Sequence, residues 1–355
     1  MSGPYRAVHW NRQKKVYDRW VVGGLLIAIG TFIAVTGALR PEFTAETLII
    51  RSTSIAAVVL LHIVLAIGPL ARLDRRFMPF LYNRRHLGVT IFLLGLTHAS
   101  MATFQFHAFG DVNPLVSIFT AYSRDYAALG DLARISNFPF EPFGVLALSI
   151  LFVMAATSHD FWLRNLGASF WKLIHIFVYV AYGSVLIHVA YGVLQSERGL
   201  AGPVLLGAGF VTLFTLHFAA ERKEARIDAV IAPLVEEGYA KVCAVSLLRD
   251  GEGRPLRAGK ERVAVFLSGA RVYALSNACR HQGGPIGEGK ILDGCITCPW
   301  HGWQYEPENG KSPPPFEEVI GTYPVRVVDG DVYVLPRFNE LGSSCPGAGV
   351  EGGTR

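Results

Sequence analysis

Cys279-Arg-His281 and Cys298-Pro-Trp-His301, two short stretches near the end of the 355-residue chain, decide how the sequence is interpreted. Sixteen residues separate His281 from Cys298, so two thiolates and two imidazoles can meet in one small site. A Cys₂His₂ zinc site is one interpretation of such a ligand set. Zinc fingers, however, place cysteine with cysteine and histidine with histidine, whereas each pair here is mixed. The spacing therefore favours an iron–sulfur centre with two kinds of ligand.

The segment CRHQGGPIGEG…CPWHGWQYEPENG resembles the Rieske [2Fe-2S] ferredoxin family, and residues 227–338 match the length of its small all-β fold. The resemblance implies that Cys279 and Cys298 hold one iron of the cluster. It implies that His281 and His301 hold the other iron, which lies nearer to solvent.

The same comparison indicates which kind of Rieske centre to expect. Gly284 and Trp300 stand where the cytochrome bc-type proteins have a disulfide between the two cluster loops, so that bridge cannot form. Trp303 replaces a hydroxyl donor, and Tyr305 is then the remaining candidate donor to a cysteine sulfur. Fewer hydrogen bonds to the cluster sulfurs lower the reduction potential, which predicts the ferredoxin type.

The residues before 227 have a different composition. Apolar residues make up 51% of the whole chain and charged residues only 17%, and the apolar ones concentrate before residue 222. Six apolar runs reach or approach the roughly 20 residues needed to cross a bilayer: 20–39, 51–71, 87–106, 142–162, 169–194 and 202–220. We therefore predict an all-α six-helix transmembrane bundle over residues 20–226, with a polar head at 1–19. A disordered tail is predicted for 339–355.

Basic residues near the predicted spans set the expected orientation. Fifteen lysines and arginines flank one side of the spans and five flank the other. By the positive-inside rule, both termini and the Rieske domain are expected on the cytoplasmic side of a plasma or inner membrane. The net charge of +5 is mostly this orientation signal, and nucleic-acid binding is not expected. The five cysteines show no disulfide pattern, which agrees with a cytoplasmic domain.

Ionisable residues inside membrane spans are costly and usually functional. The stretch TSHDFWLRNLGASFWKLIHIFVYVAYGSVLIHVAYGV, together with AIGPLARL after the second run and LGLTHAS in the third, resembles the ferric-reductase-like transmembrane family. That resemblance implies b-type haem, one or two per chain, with His98, His175 and His188 as ligands. Thirteen residues of ideal helix turn by about 220°. The helix carrying His175 and His188 must therefore be distorted, or its two haems must lie on different sides.

Counting depth at about 1.5 Å per residue pairs His62 with His175 as an inner haem site and His98 with His188 as an outer one. The sequence departs from the oxidases of this family at Arg84, where they have the inner ligand of the third span. His86, nearby at the membrane edge, therefore competes with His62 for the inner position.

The combination predicts transmembrane electron transfer between a cytoplasmic Rieske cluster and membrane haem. A soluble cytoplasmic reductase or ferredoxin is the expected donor, and a periplasmic molecule or a quinone the expected acceptor. Three alternatives remain open: electron flow in the reverse direction to a cytoplasmic partner, a haem-free membrane anchor that tethers a Rieske ferredoxin, and a redox sensor. Whether the protein is itself an enzyme is not decided by its sequence, which offers no nucleophile, base dyad or phosphate loop.

Overall fold

The computed structural model describes residues 12–81, 84–108, 113–120, 140–159, 162, 165–166, 168–192, 199–229, 236–281, 283–300, 302–314 and 316–350. The contacts within the chain form two compact units. One consists of His9–Pro69 and Asn83–His217, and the other includes Leu70–Tyr82 and Phe218–Arg355.

The membrane unit is helical. Its helices, with the flanking segments that belong to the second unit, are α1 (Arg12–Leu39), α2 (Ala45–Leu73), α3 (Met78–Leu81), α4 (Arg84–His107), α5 (Pro114–Thr120), α6 (Glu141–Ala156), α7 (Ala168–Ile176), α8 (Val178–Tyr191) and α9 (Ala201–Ala229). Within the described ranges, five segments are long and apolar enough to cross a membrane: Lys15–Leu39, Ala45–Leu73, Arg84–His107, Phe170–Tyr191 and Ala201–Arg226.

The fourth apolar run is shorter than predicted. Its helix, α6, has 16 residues and ends at Ala156. The hydroxyls of Thr157 and Ser158 donate to the carbonyls of Val153 and Met154, at 2.7 and 2.6 Å, and so compete with a further helical turn.

The fifth run is interrupted at Phe177, between α7 and α8. The Phe177 amide donates to the carbonyl of Ile174, three residues back, at 3.3 Å. The regular pattern resumes where the Ala181 amide donates to Phe177 at 2.9 Å. Of the two alternatives predicted from the sequence, a distorted helix between His175 and His188 is therefore present.

The C-terminal unit carries the small all-β domain, which confirms the predicted fold class. Its strands form three sheets ordered β1-β10-β9, β11-β4-β3-β2 and β5-β6-β7, with β8 also paired to β4. The strands are β1 (Ala240–Ala244), β2 (Gly253–Ala258), β3 (Glu261–Ser268), β4 (Arg271–Ser276), β5 (Lys290–Leu292), β6 (Cys295–Thr297), β7 (Gln304–Tyr305), β8 (Thr322–Tyr323), β9 (Val325–Val328), β10 (Asp331–Val334) and β11 (Ala348–Gly349).

The β3–β4 hairpin separates two apolar cores, because successive side chains of a strand point to opposite faces. Val263 and Val265 enter one core. Ala264 and Phe266, each fully buried, enter the other, which also contains Cys279 and Cys298 of the candidate metal site. The site is therefore built on one face of a rigid hairpin.

The tail differs from the prediction. Ala348 pairs with Val272 across β11 and β4, and the Cys345 amide donates to the carbonyl of Glu308 at 2.7 Å. The prediction of disorder is therefore wrong for residues 339–350, because their backbone groups complete the edge of a sheet; residues 351–355 lie outside the described residues.

Candidate cofactor sites

Two loops with the same backbone geometry hold Cys279 and Cys298. In each loop the cysteine carbonyl accepts from a glycine amide four residues later: Gly283 at 2.7 Å and Gly302 at 2.9 Å. Each cysteine amide donates to the carbonyl five residues on, at 2.9 and 2.7 Å. Gly283 and Gly302 have φ of 72° and 71°, a conformation that side-chain-bearing residues rarely adopt. Because both loops have this hydrogen-bond pattern, the thiols of Cys279 and Cys298 have the same position relative to their loop backbones.

The two loops face each other closely. A Cβ on Gly284 would lie 2.7 Å from Cys298 Sγ and 3.1 Å from Cγ of Trp300. Gly284 and Trp300 are the positions at which a disulfide was ruled out by sequence, and the indole now occupies that space. None of the five cysteines, all among the described residues, forms a disulfide. The loops are therefore held by hydrogen bonds and packing.

Tyr305 directs its hydroxyl at a candidate ligand. Its oxygen lies 3.3 Å from Cys279 Sγ and accepts a hydrogen bond from the Arg280 amide at 3.0 Å. Because the oxygen already accepts from that amide, the hydroxyl hydrogen is available to the sulfur. Burial, with the neighbouring Cys279, raises the pKa of Tyr305 well above its usual range, so it stays a donor. This matches the role predicted from the sequence.

His281 is buried and stacks on Trp303, with ring centroids 4.4 Å apart and planes 10° from parallel. The Trp303 indole is fixed in turn, because its Nε1 donates to Ser312 Oγ at 2.9 Å and its ring contacts Phe316. His301, the fourth predicted ligand, lies outside the described residues. Cys279, His281 and Cys298, three of the four predicted ligands, thus lie in the two facing loops.

His98 and His188 meet inside the helical bundle, as predicted. Their ring centroids are 6.1 Å apart with nearly perpendicular planes. Two metal–imidazole bonds of about 2.0 Å each, plus about 1 Å from each nitrogen to its ring centre, span a similar distance. His98 Nδ1 donates to the carbonyl of Ile50 at 3.1 Å, and His188 Nδ1 to that of Phe140 at 3.0 Å. Both Nε2 atoms then carry the lone pair that a metal requires.

Gly144 of α6 provides the space for the His188 ring. A Cβ there would lie 2.8 Å from both Cε1 and Nδ1 of His188. The ring therefore packs directly on the helix backbone. The pair is supported from α2, α4, α6 and α8 together.

Like His98 and His188, His175 bonds through Nδ1 to a backbone carbonyl, but different side chains surround its ring. Its Nδ1 bonds to the carbonyl of Trp171 at 2.9 Å, and its ring stacks on that indole at 3.6 Å between centroids. Its Nε2 is buried and has no hydrogen-bond partner among the described residues. The Arg85 guanidinium lies over the other ring of this stack, 5.4 Å from Trp171. A buried lone pair of this kind fits a metal ligand.

His62 and His86, the two candidates for the inner haem position, both contact polar side chains. His62 Nε2 lies 3.0 Å from the Tyr182 hydroxyl. His86 Nδ1 lies 2.8 Å from Asp18 on α1. The sequence did not single out Tyr182, Trp171 or Asp18, because an aromatic or acidic residue in or beside an apolar run carries no pairing signal of its own.

Comparison with known proteins identifies two families in the chain. The Rieske [2Fe-2S] domain matches residues 238–324, and the ferric reductase like transmembrane component matches residues 53–186. Among relatives, the anthranilate 1,2-dioxygenase ferredoxin subunit of Burkholderia cepacia is 36% identical over 78 residues, 22% of this chain and 72% of that protein. Ferredoxin CarAc of Metapseudomonas resinovorans is 33% identical over 98 residues, 27% of this chain and 92% of that protein.

Among solved structures, one chain of the complex of reduced oxygenase and oxidized ferredoxin in carbazole 1,9a-dioxygenase is 30% identical. The match covers 30% of this chain and 99% of that one, with a TM-score of 0.28.

Proposed function

Because this chain belongs to the Rieske [2Fe-2S] family through residues 238–324 and to the ferric-reductase-like transmembrane family through 53–186, we propose that it is a membrane electron-transfer protein that moves electrons between the cytoplasm and an acceptor in or across the membrane. The chain is an electron-transfer oxidoreductase by family. The cofactor sites, the direction of transfer and the partners are the proposed part.

The cluster site is assigned to Cys279 and Cys298 for one iron and to His281 and His301 for the other. The haem site is assigned to His98 and His188, with His175 as the candidate ligand of a second haem. When bound, the cluster and the haem each accept and release a single electron. The chain supplies position, burial and hydrogen bonding, which set the potential of each group.

The observation that carries the proposal is the pairing of His98 with His188. Their Nδ1 atoms are fixed by two backbone carbonyls, and their ring centres lie 6.1 Å apart in an apolar bundle. Half-buried histidines inside an apolar helical bundle are rare and usually functional. His98 and His188 would hold a haem iron through their Nε2 atoms if haem binds here, and a haem-free anchor would not need this pair.

We propose that a soluble cytoplasmic reductase or ferredoxin delivers the electrons and that a periplasmic molecule or a quinone receives them. Curated relatives of the β domain include ferredoxin components of a dioxygenase and of an alkene monooxygenase system, which supports a soluble redox partner. The excess of basic residues on one side supports a cytoplasmic β domain.

The test is to measure haem and acid-labile sulfide per polypeptide in detergent-purified protein, with a dithionite-reduced-minus-oxidised spectrum. We expect b-type haem together with one [2Fe-2S] cluster, and loss of haem but not of cluster in His98→Ala and His188→Ala. His217→Ala, a membrane histidine bonded to Tyr179, is the matched control and should keep its haem. A wild-type protein with cluster and no haem would reduce the chain to a tethered ferredoxin.

Direction is tested with the same preparation in vesicles. Reduction of haem by a cytoplasmic-side reductase system, followed by reoxidation with an added quinone, is the expected result. Reduction by quinol with delivery to a cytoplasmic-side acceptor would establish the reverse flow instead.

A further inference from the structure

We infer that His62 ties helix α2 to helix α8 through Tyr182 and is not a haem ligand. The inference deepens the proposed function, because it decides which membrane histidines remain available to iron. Depth alone pairs His62 with His175, so the assignment depends on what each ring nitrogen contacts.

The hydrogen bonds of His62 fix its tautomer and use both nitrogens. Its Nδ1 lies 2.8 Å from the carbonyl of Val58, one turn earlier on α2, so Nδ1 carries the hydrogen. The lone pair is then on Nε2, which lies 3.0 Å from the Tyr182 hydroxyl. The hydroxyl donates to it. The rings meet edge to face with centroids 5.2 Å apart. The nitrogen that would bind iron is therefore already occupied.

Helix α9 also packs against Nε2 of His62, from a different side than Tyr182. A Cβ on Gly209 of α9 would lie 2.7 Å from His62 Nε2 and 2.9 Å from Cδ2. The imidazole therefore packs directly against the α9 backbone. A porphyrin ring has no room between Nε2 and a helix backbone this close, so haem does not fit at Nε2 of His62.

The other candidate ligands differ at this atom. His98, His175 and His188 also donate from Nδ1 to backbone carbonyls, at 3.1, 2.9 and 3.0 Å. The Nε2 of His175, however, is buried with no hydrogen-bond partner in the described part of the chain. Among the residues that the structure describes, His62 is the one of these four histidines whose Nε2 contacts a tyrosine hydroxyl. A hydrogen bond between side chains of two helices is a common stabilising contact in membrane bundles.

The experiment compares three variants of the full-length protein in detergent: His62→Ala, His62→Gln and Tyr182→Phe. All three should keep the wild-type haem content and the wild-type bis-histidine spectrum. His62→Ala and Tyr182→Phe should lower the thermal midpoint by about 2–4 °C. The two losses should not add in the double variant, because they break one bond. His62→Gln should recover part of the shift, since its amide oxygen can accept from Tyr182 but does not ligate haem iron.

The outcomes separate the two proposals. Loss of haem in both His62 variants, with haem kept in Tyr182→Phe, would overturn the tie and make His62 a ligand. Additive midpoint losses in the double variant would also overturn it. Absence of haem from the wild-type protein would instead refute the proposed function, while the thermal midpoints would still test the hydrogen bond.

Gly209→Ala is an independent check. Its added methyl should displace the His62 ring and lower the midpoint without changing the haem content. Gly207→Ala, on the same helix with open space around its Cβ position, should leave both unchanged. Loss of haem in Gly209→Ala alone would contradict the inference.

Discussion

Tyr305 shows how one hydroxyl adjusts a metal site. The Arg280 amide occupies one acceptor position of its oxygen, which leaves its hydrogen for Cys279 Sγ, 3.3 Å away. A hydrogen bond to a sulfur stabilises the more negative, reduced cluster more than the oxidised one. With a cluster bound at the proposed ligands, Tyr305 would therefore raise the reduction potential, which the absence of a hydroxyl at Trp303 would otherwise leave low.

We predict that Tyr305→Phe lowers the reduction potential of the cluster. Hydrogen bonds to charged groups contribute about 1.5–3 kcal/mol. If about 1.2 kcal/mol of that differs between the two redox states, the potential falls by on the order of 50 mV, because 59 mV corresponds to about 1.4 kcal/mol for one electron. Redox titration followed by EPR measures it. Tyr333→Phe, on β10, is the control, and an unchanged potential in Tyr305→Phe would rule out the bond.

Cys243 is a half-buried thiol outside the metal site. Burial raises its pKa to about 11, with Arg254 opposing and Asp331 adding to the shift. We predict that alkylation of Cys243 in the folded protein is slow at pH 8 and rises about tenfold per pH unit up to pH 10, because only the thiolate reacts. Peptide mapping by mass spectrometry measures it, with urea-denatured protein as the control. Rapid labelling at pH 8 would contradict the burial.

The raised pKa of Cys243 also determines how the stability of the folded protein changes with pH. Between the ordinary thiol pKa of about 8.5 and the folded value of about 11, the unfolded chain releases a proton that the folded chain keeps. Stability from this group is therefore fully present below the lower value and is lost as pH rises to the upper one. Cys243→Ala should remove that part of the alkaline decline in the thermal midpoint of the domain.

At the scale of elements, helix–helix approach and helix interruption position the histidines that we propose as haem ligands. In an ideal helix, His175 and His188 would point in directions about 220° apart around the helix axis. The interruption at Phe177 changes that angle. Gly144 allows α6 to contact the His188 ring directly. The first feature is the junction of α7 with α8, and the second is the contact of α6 with α8, so each depends on two helices and not on one histidine.

Gly144→Ala tests that close approach. The methyl group would lie 2.8 Å from two atoms of the His188 ring, closer than side chains tolerate, so the ring or the helix must move. We expect lower haem occupancy and a shifted low-spin EPR signal. Gly207→Ala, with nothing within 4 Å of the added atom, adds the same methyl without that contact. Equal haem spectra in the two variants would show that the α6 contact does not matter.

The C-terminal strand is a second element with a testable role. β11 pairs with β4, the Val350 amide donates to the carbonyl of Ala270, and Gly347 packs against Tyr273. Truncation of the chain after Asn339 should lower the temperature at which the cluster absorbance is lost by several degrees, because the edge of β4 at Arg271 and Val272 becomes unpaired, while β8 still covers Ala274 and Leu275. A variant lacking only residues 351–355 is the control. An unchanged bleaching temperature after the longer truncation would show that the strand is dispensable.

At the scale of the whole molecule, the proposed path requires the β domain to face the cytoplasm. Reporter fusions after Arg355 should be active for a cytoplasmic reporter and inactive for one that needs export. Fusions in the segment between α4 and α6 should behave in the opposite way. A periplasmic signal at the C-terminus would invert the proposed direction but leave both cofactor assignments standing.

The sequence by itself determined the two families, five of the six predicted apolar spans and the identity of the cluster-loop residues, because Cys–His spacing and apolar run length are local properties. It also identified Tyr305 as the remaining donor and His98 with His188 as a pair. Only the tertiary structure decided which nitrogen each histidine leaves available. Linear depth placed His62 beside His175, whereas contacts with Tyr182 and Gly209, on helices far away in sequence, occupy its Nε2. The tail was misjudged for the same reason, because its polar, glycine-containing composition does not reveal the strand edge that orders it.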